Sequence, residues 1–159
     1  MGVRLKDKVA IITGGGSGIG KAIAKAFVQE GATVVLAARN AANLEQTAKE
    51  LQAMGGKAKT IPTDVKDEKQ IINMVAETIK TFGKIDILVN NSGIGGPTAY
   101  VVDLKLEEWN EILMVDLTGS MLCAREALKH MIPRKSGVII KAWLTYSAHI
   151  AIQTWLKNR

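Results

Sequence analysis

The 159-residue chain has one cysteine, three prolines, few aromatic residues and no long uncharged apolar segment. The lone Cys123 cannot form an internal disulfide, which favours a reducing compartment, so we expect a cytoplasmic protein. No segment approaches the roughly 18 consecutive apolar residues that span a bilayer, and we expect no membrane partner. The chain length suits one domain with its own hydrophobic core.

Acidic residues are absent after Glu126, and this accounts for the formal net charge of +6. All 15 acidic residues lie at or before that position, and the cations beyond it supply the whole excess. A nucleic-acid-binding surface would show clustered cations with aromatic residues between them. The charge therefore indicates only an unbalanced C-terminal segment, and we expect neither a nucleic acid nor a metal ion as a ligand.

Strand and helix patterns alternate along most of the chain. Short apolar segments predict strands at 8–12, 33–37, 57–61, 85–89 and 138–140, and helical periodicity predicts helices around 19–27, 40–54, 71–82 and 106–131. This alternation predicts an α/β fold, an incomplete doubly wound parallel sheet of Rossmann type with about five strands and helices on both faces. We assign residues 1–140 to a dinucleotide-binding domain and 141–159 to a divergent tail that forms one amphipathic helix.

A glycine-rich turn follows the first predicted strand and precedes the first predicted helix. Its candidate binding residues are Gly14, Gly16, Ser17, Gly18, Ile19 and Gly20. Glycines permit a tight turn and let backbone N–H groups approach a pyrophosphate, and the N-terminus of the next helix adds the positive end of its dipole. Because the turn lies within a strand–helix–strand unit, it predicts a dinucleotide site rather than an ordinary glycine-rich loop.

The end of the second predicted strand has no carboxylate, since residues 37–40 read Ala-Ala-Arg-Asn. A carboxylate there would hydrogen-bond the ribose 2′-OH of NAD and repel a 2′-phosphate. Arg39 can instead pair with a phosphate or lie against adenine. The sequence favours NADP over NAD as the cofactor. Arg39 could also be an ordinary solvent-exposed arginine, but this alternative does not explain why no carboxylate follows the second strand.

Three motifs carry a family resemblance: Gly14-x-x-x-Gly18-x-Gly20, Asp64-Val65 and Asn90-Asn91-Ser92-Gly93. In this order they resemble the short-chain dehydrogenase/reductase family, over residues 4–140 or so. The resemblance implies that Asp64 binds the adenine amino group beside the Val65 backbone. It also implies that Asn90 and Asn91 shape the sheet end and touch the cofactor ribose. Alternatively, Asp64 only caps a turn, and Asn90 and Asn91 are ordinary loop residues without a contact to a cofactor.

The resemblance also implies hydride transfer between a nicotinamide cofactor and a carbonyl or alcohol. The family uses a Ser, a Tyr, a Lys four residues after the Tyr and a supporting Asn, and the ammonium group lowers the pKa of the phenol. This chain departs from that pattern, because Asp116 stands at the Asn position and Ile150 at the Lys position. Tyr146 is the one candidate base, and His149 lies one residue short of the Lys position. The other interpretation of Tyr146 is a tyrosine of an amphipathic tail helix without a catalytic role.

Two functions therefore stay open. The first is an NAD(P)-dependent oxidoreductase that exchanges hydride between NADPH and a small carbonyl or alcohol substrate. The second is a non-catalytic NADP-binding fragment or interaction module. The predicted helix at 106–131 corresponds to the family's dimer interface and implies a homo- or hetero-oligomer. Relative to the family, the pattern is typical of a member shortened by a truncation, a frameshift or an alternative splice.

Overall fold

The computed structural model describes residues 4–97 and 99–142. A parallel sheet in the order β3-β2-β1-β4-β5 lies at its centre. The strands are β1 (Val9–Thr13), β2 (Thr33–Ala38), β3 (Lys57–Pro62), β4 (Ile87–Asn90) and β5 (Val138–Lys141). The helices are α1 (Gly18–Gln29), α2 (Ala41–Ala53), α3 (Glu68–Phe82), α4 (Leu106–Leu113) and α5 (Gly119–Met131), with a 3-10 turn at Val101–Asp103 and a π-helical segment at Met114–Thr118. The predicted doubly wound α/β fold is confirmed.

The central strand β1 is buried on both faces of the sheet. Its side chains point alternately to opposite faces, because successive residues of a strand do so. Ile11 belongs to the core that includes residues of α3 and α5, whereas Ala10 and Ile12 belong to the core that includes residues of α1 and α2. Burial on both faces explains why this strand reads as a continuous apolar segment in the sequence.

The predicted long helix at 106–131 consists of α4, the π-helical segment and α5 in direct succession. In the π-helical segment the N–H of Gly119 donates to the carbonyl of Met114, five residues back. Such a turn accommodates an extra residue and commonly occurs at functional sites. The sequence periodicity did not predict it.

β5 is longer than predicted by one residue. Lys141 lies in the strand, opposite Asn90 of β4, and the N–H of Ala142 donates to the carbonyl of Asn90. The first residue of the predicted tail thus belongs to the sheet. Residues 143–159, which include Tyr146 and most of the predicted tail helix, lie outside the described residues.

Apolar side chains are exposed at several places in the described part of the chain, and two of these surfaces lie on the sheet edge and on the last helix. The first is β5 at one edge of the sheet, where Val138, Ile139 and Ile140 are 55%, 37% and 41% exposed. The second, which we name the helix stripe, runs along the π-helical segment and α5 and comprises Met114, Leu117, Met121, Leu128 and Ile132. Within residues 4–97 and 99–142, no helix is both long and apolar enough to cross a membrane.

Candidate cofactor site

A cleft of about 730 Å3 opens at the carboxyl ends of the strands. Four segments line it: 14–19 after β1, 38–43 after β2, 63–65 after β3 and 91–94 after β4, together with Val115. The cleft lies where the strand order reverses, since β1 has β2 on one side and β4 on the other. Open α/β sheets bind their ligands at this position.

Helix α1 begins at the cleft with an uncapped N-terminus. Within the described part of the chain, the side chain of Ser17 makes no capping hydrogen bond and the first turn contains no acid. The next two helices differ, because Asn40 caps α2 and Asp67 caps α3 through their side-chain oxygens. Backbone N–H groups at the start of a helix and the positive end of its dipole attract an anion. The N-terminus of α1 is therefore suited to a phosphate group.

Two positions of the turn, 18 and 20, require glycine for different structural reasons. Gly18 has a φ of +52°, and apart from its chain neighbours and the backbone of its own helix, no atom of the described residues lies within 4 Å of the position that a Cβ would occupy. A ligand can therefore approach the backbone there. At Gly20 a Cβ would lie 2.2 Å from the carbonyl oxygen of Gly14, so only glycine lets α1 pack against the turn. Gly20 supports the turn from behind and does not line the cleft, unlike Gly14, Gly16 and Ile19.

Thr13 joins the glycine turn to the segment after β4. Its Oγ1 accepts hydrogen bonds from the N–H groups of Asn91 (3.0 Å) and Ser92 (2.9 Å). The Asn91 amide nitrogen Nδ2 donates in return to the carbonyl of Thr13, at 3.0 Å. Asn91 thus links the ends of β1 and β4, and the contact with the cofactor ribose that the resemblance implied stays a prediction. Thr13 was missed by the sequence reasoning, although its place directly before the first glycine of the motif is a usable signal.

Asn90 faces away from the cleft lining. It is buried, and its Nδ2 donates to the carbonyl of Ser120 in α5, at 3.0 Å. Its Oδ1 has no hydrogen-bond partner within residues 4–97 and 99–142. The structure therefore assigns Asn90 a contact with α5, and the cofactor contact that the resemblance implied for it stays a prediction.

The adenine end of the predicted site is formed by the segments after β2 and β3. Arg39 is exposed and lines the cleft, as do Asp64 and the buried Val65. The Oδ1 of Asp64 accepts from the N–H of Lys66 at 2.9 Å, which is the turn cap considered as the alternative. Asp64 thus both caps this turn and lines the cleft, and its contact with the adenine amino group stays a prediction.

Asp116 lies in the π-helical segment beside the cleft and is only 8% exposed. Its Oδ1 accepts a hydrogen bond from the N–H of Ile94, a residue that lines the cleft, at 2.9 Å. An ionised carboxylate can do this but cannot donate as an amide would.

Lys141, which the sequence reasoning missed, donates to the Asp116 carbonyl at 2.5 Å and to Ser120 Oγ at 2.6 Å. Burial lowers the pKa of Lys141, and the nearby charge of Asp116 opposes this in part. Tyr146, His149 and Ile150 lie outside the described residues. No group of three potential metal ligands occurs among the residues that the structure describes.

Comparison with known proteins identifies the family. The family model described as short chain dehydrogenase matches residues 8–146. The chain belongs to the short-chain dehydrogenase/reductase family. An uncharacterized oxidoreductase from Thermotoga maritima is 39% identical over 136 residues, which cover 86% of this chain and 53% of that protein. The 3-oxoacyl-(acyl-carrier-protein) reductase of the same organism is 38% identical over 138 residues, covering 87% of this chain and 56% of that protein.

Solved structures of dehydrogenases share this fold. The crystal structure of NAD+-bound xylitol dehydrogenase matches with a TM-score of 0.84 and 30% sequence identity, covering 87% of this chain and 53% of that one. This short-chain dehydrogenase/reductase chain spans about half the length of the curated relatives it matches. The family uses nicotinamide dinucleotides, and the names of its members point to oxidation and reduction as the class of activity.

Proposed function

We propose that this chain binds NADP(H) in the cleft and acts as an oxidoreductase on a small carbonyl or alcohol. The observation that carries the proposal is the uncapped N-terminus of α1 beside Gly18, whose missing side chain leaves the backbone open to an anion. A pyrophosphate is the anion that such a turn holds in dinucleotide-binding folds. When bound, the nicotinamide ring supplies or accepts a hydride.

Arg39 supports NADP rather than NAD. It lines the cleft at the end of β2, where the neighbouring Ala38 and Asn40 offer no carboxylate. A carboxylate at this strand end would favour the ribose 2′-OH, whereas a guanidinium group can form paired hydrogen bonds with a 2′-phosphate. Asn43, in the first turn of the capped helix α2, also lines this part of the cleft. The guanidinium group of Arg39 therefore favours an additional negative charge on the ligand.

Binding without turnover is the second candidate function. It is favoured by Asp116, which occupies the family's Asn position and holds the Ile94 N–H rather than presenting an amide donor. The sequence after Tyr146 also lacks the Lys four residues on. Under this alternative the chain binds NADP(H) but transfers no hydride.

Calorimetric titration with NADPH and NADH tests the cofactor proposal. We expect tighter binding of NADPH, and a loss of about tenfold or more for NADPH in Arg39→Gln, because one charge-assisted contact contributes about 1.5–3 kcal/mol. Binding of NADH should change little. Lys80→Gln is the matched control, since it removes one charge from an exposed side chain on α3 that does not line the cleft. Equal affinity for the two nucleotides in the unmodified chain contradicts the NADP assignment.

Oxidation of NADPH with a panel of small ketones and aldehydes separates the two functions. Turnover that Tyr146→Phe abolishes supports the oxidoreductase with that residue as the base. Turnover that survives the substitution excludes Tyr146, and tight NADPH binding with no turnover supports the non-catalytic alternative.

We further propose that a second copy of this chain covers the helix stripe. The five residues of the stripe are exposed and follow one another at spacings close to helical turns. Such a contiguous apolar surface is unusual on a monomer, and a self-complementary helix face is the simplest route to a symmetric dimer.

A further inference from the structure

A polar cluster connects the end of β5 to the cleft. Lys141 donates from its ammonium group to the Asp116 carbonyl and to Ser120 Oγ. The hydroxyl of Ser120 also donates to the Asp116 carbonyl, at 3.0 Å. Two side chains thus hold the backbone of the π-helical segment at one oxygen.

The side-chain carboxylate of Asp116 holds one wall of the cleft in position. The Oδ1 of Asp116 accepts from the N–H of Ile94 at 2.9 Å, and the segment 91–94 lines the cleft together with Val115, the neighbour of Asp116. At its other end this segment is anchored by Thr13 Oγ1, which holds the N–H groups of Asn91 and Ser92. The position of Ile94 therefore depends on where the π-helical segment places Asp116.

The positive charge of Lys141 also affects this wall of the cleft, because it lies near the Asp116 carboxylate. Asp116 is 8% exposed, and a buried carboxylate is costly unless a cation or hydrogen-bond donors compensate it. The electrostatic interaction between Asp116 and Lys141 raises the pKa of the lysine, while burial lowers it more strongly. A cation at this position also reduces the repulsion between the Asp116 carboxylate and an anionic ligand in the cleft.

We propose that Lys141 is a positioning residue for the end of the cleft formed by 91–94. Its ammonium group fixes the π-helical segment so that Asp116 holds Ile94, and its charge offsets that of Asp116 beside the bound dinucleotide. This rests on the proposed NADP(H) site. Arg39 follows β2 and Ile94 follows β4, on opposite sides of β1, so Lys141 affects the end of the dinucleotide remote from Arg39.

The first test measures the free chain and needs no cofactor. In Lys141→Met, we expect the amide hydrogen of Ile94 to exchange with solvent about tenfold faster than in the unmodified chain, as followed by NMR. The amide of Asn91, held by Thr13 Oγ1, is the internal control and should keep its exchange rate. Lys141→Arg retains the charge and the donors and should restore the Ile94 rate. Lys141→Gln takes the place of the Met variant if that variant does not fold.

The second test compares two ligands by calorimetry. We expect Lys141→Met to bind NADPH about tenfold more weakly but to bind adenosine 2′,5′-bisphosphate, which reaches only the Arg39 end, as the unmodified chain does. Adding Asp116→Asn to Lys141→Met should recover only the part of the NADPH affinity that was lost through the uncompensated charge, since the amide oxygen can still accept from Ile94 and carries no charge.

Two results overturn the role of Lys141: an unchanged exchange rate at Ile94, or equal losses for the two ligands in Lys141→Met. If the unmodified chain binds neither ligand, the proposed NADP(H) site is wrong. The exchange measurement then still reports whether Lys141 holds Ile94, so the two failures are distinguishable.

Discussion

Gly18→Ala provides the sharpest test of the anion site at the start of α1. A methyl group at this position would project into the open space that the structure leaves beside the backbone. It would also keep a phosphate from approaching the N–H groups of the first helical turn. Each charge-assisted hydrogen bond lost contributes about 1.5–3 kcal/mol, which corresponds to roughly ten- to hundredfold weaker binding of NADPH.

The same substitution also strains the backbone, and this effect needs its own control. Gly18 has a φ of +52°, and an alanine in the left-handed region costs about 1–2 kcal/mol of folding free energy. Gly83 at the end of α3 has a φ of +75° and likewise has open space around its Cβ position within the described chain. It precedes β4 and so lies at the amino end of the sheet, away from the cleft. Gly83→Ala is therefore the matched control.

Both variants should unfold in urea with similar losses of stability, and only Gly18→Ala should lose affinity for NADPH in calorimetric titration. If Gly18→Ala binds NADPH as tightly as Gly83→Ala does, the phosphate is not held at the N-terminus of α1. The proposed cofactor site would then be wrong in its main feature.

Three further outcomes follow from the packing. Burial raises the pKa of Asp86, but hydrogen bonds from the Val9 N–H and Arg134 hold that pKa below its usual value. The free energy of unfolding should therefore fall as the pH drops below about 4, because the carboxylate is then protonated. Urea denaturation across pH should show a smaller fall in Asp86→Asn. Burial raises the pKa of Cys123 to about 12, so a thiol reagent should modify the folded chain roughly a thousandfold more slowly than the unfolded one; rapid labelling under native conditions would contradict its burial. Leu117→Lys in the helix stripe should convert a dimer to a monomer in light scattering with little change in melting temperature, whereas a chain that is already monomeric refutes the proposed contact.

The sequence alone determined the fold class and the location of the glycine turn. Both are local properties, because a strand buried on two faces needs a continuous apolar segment, as in β1, and a turn that approaches a ligand needs glycine, as at Gly18. The absence of a carboxylate beside Arg39 can likewise be read from a short stretch of the sequence. These features can be read without knowing which distant segments meet, and in the structure Arg39 and Gly18 both line the cleft.

The tertiary structure alone decided which side chains support that cleft. Thr13 meets Asn91 across 78 residues of chain, and Lys141 meets Asp116 across 25. The Asn90 amide donates to the Ser120 carbonyl only because β4 packs against α5. Periodicity over 106–131 predicted a helix but not its π-helical turn, which places Asp116 against Ile94. Such contacts depend on how separate elements pack in space, so no local pattern in the chain encodes them.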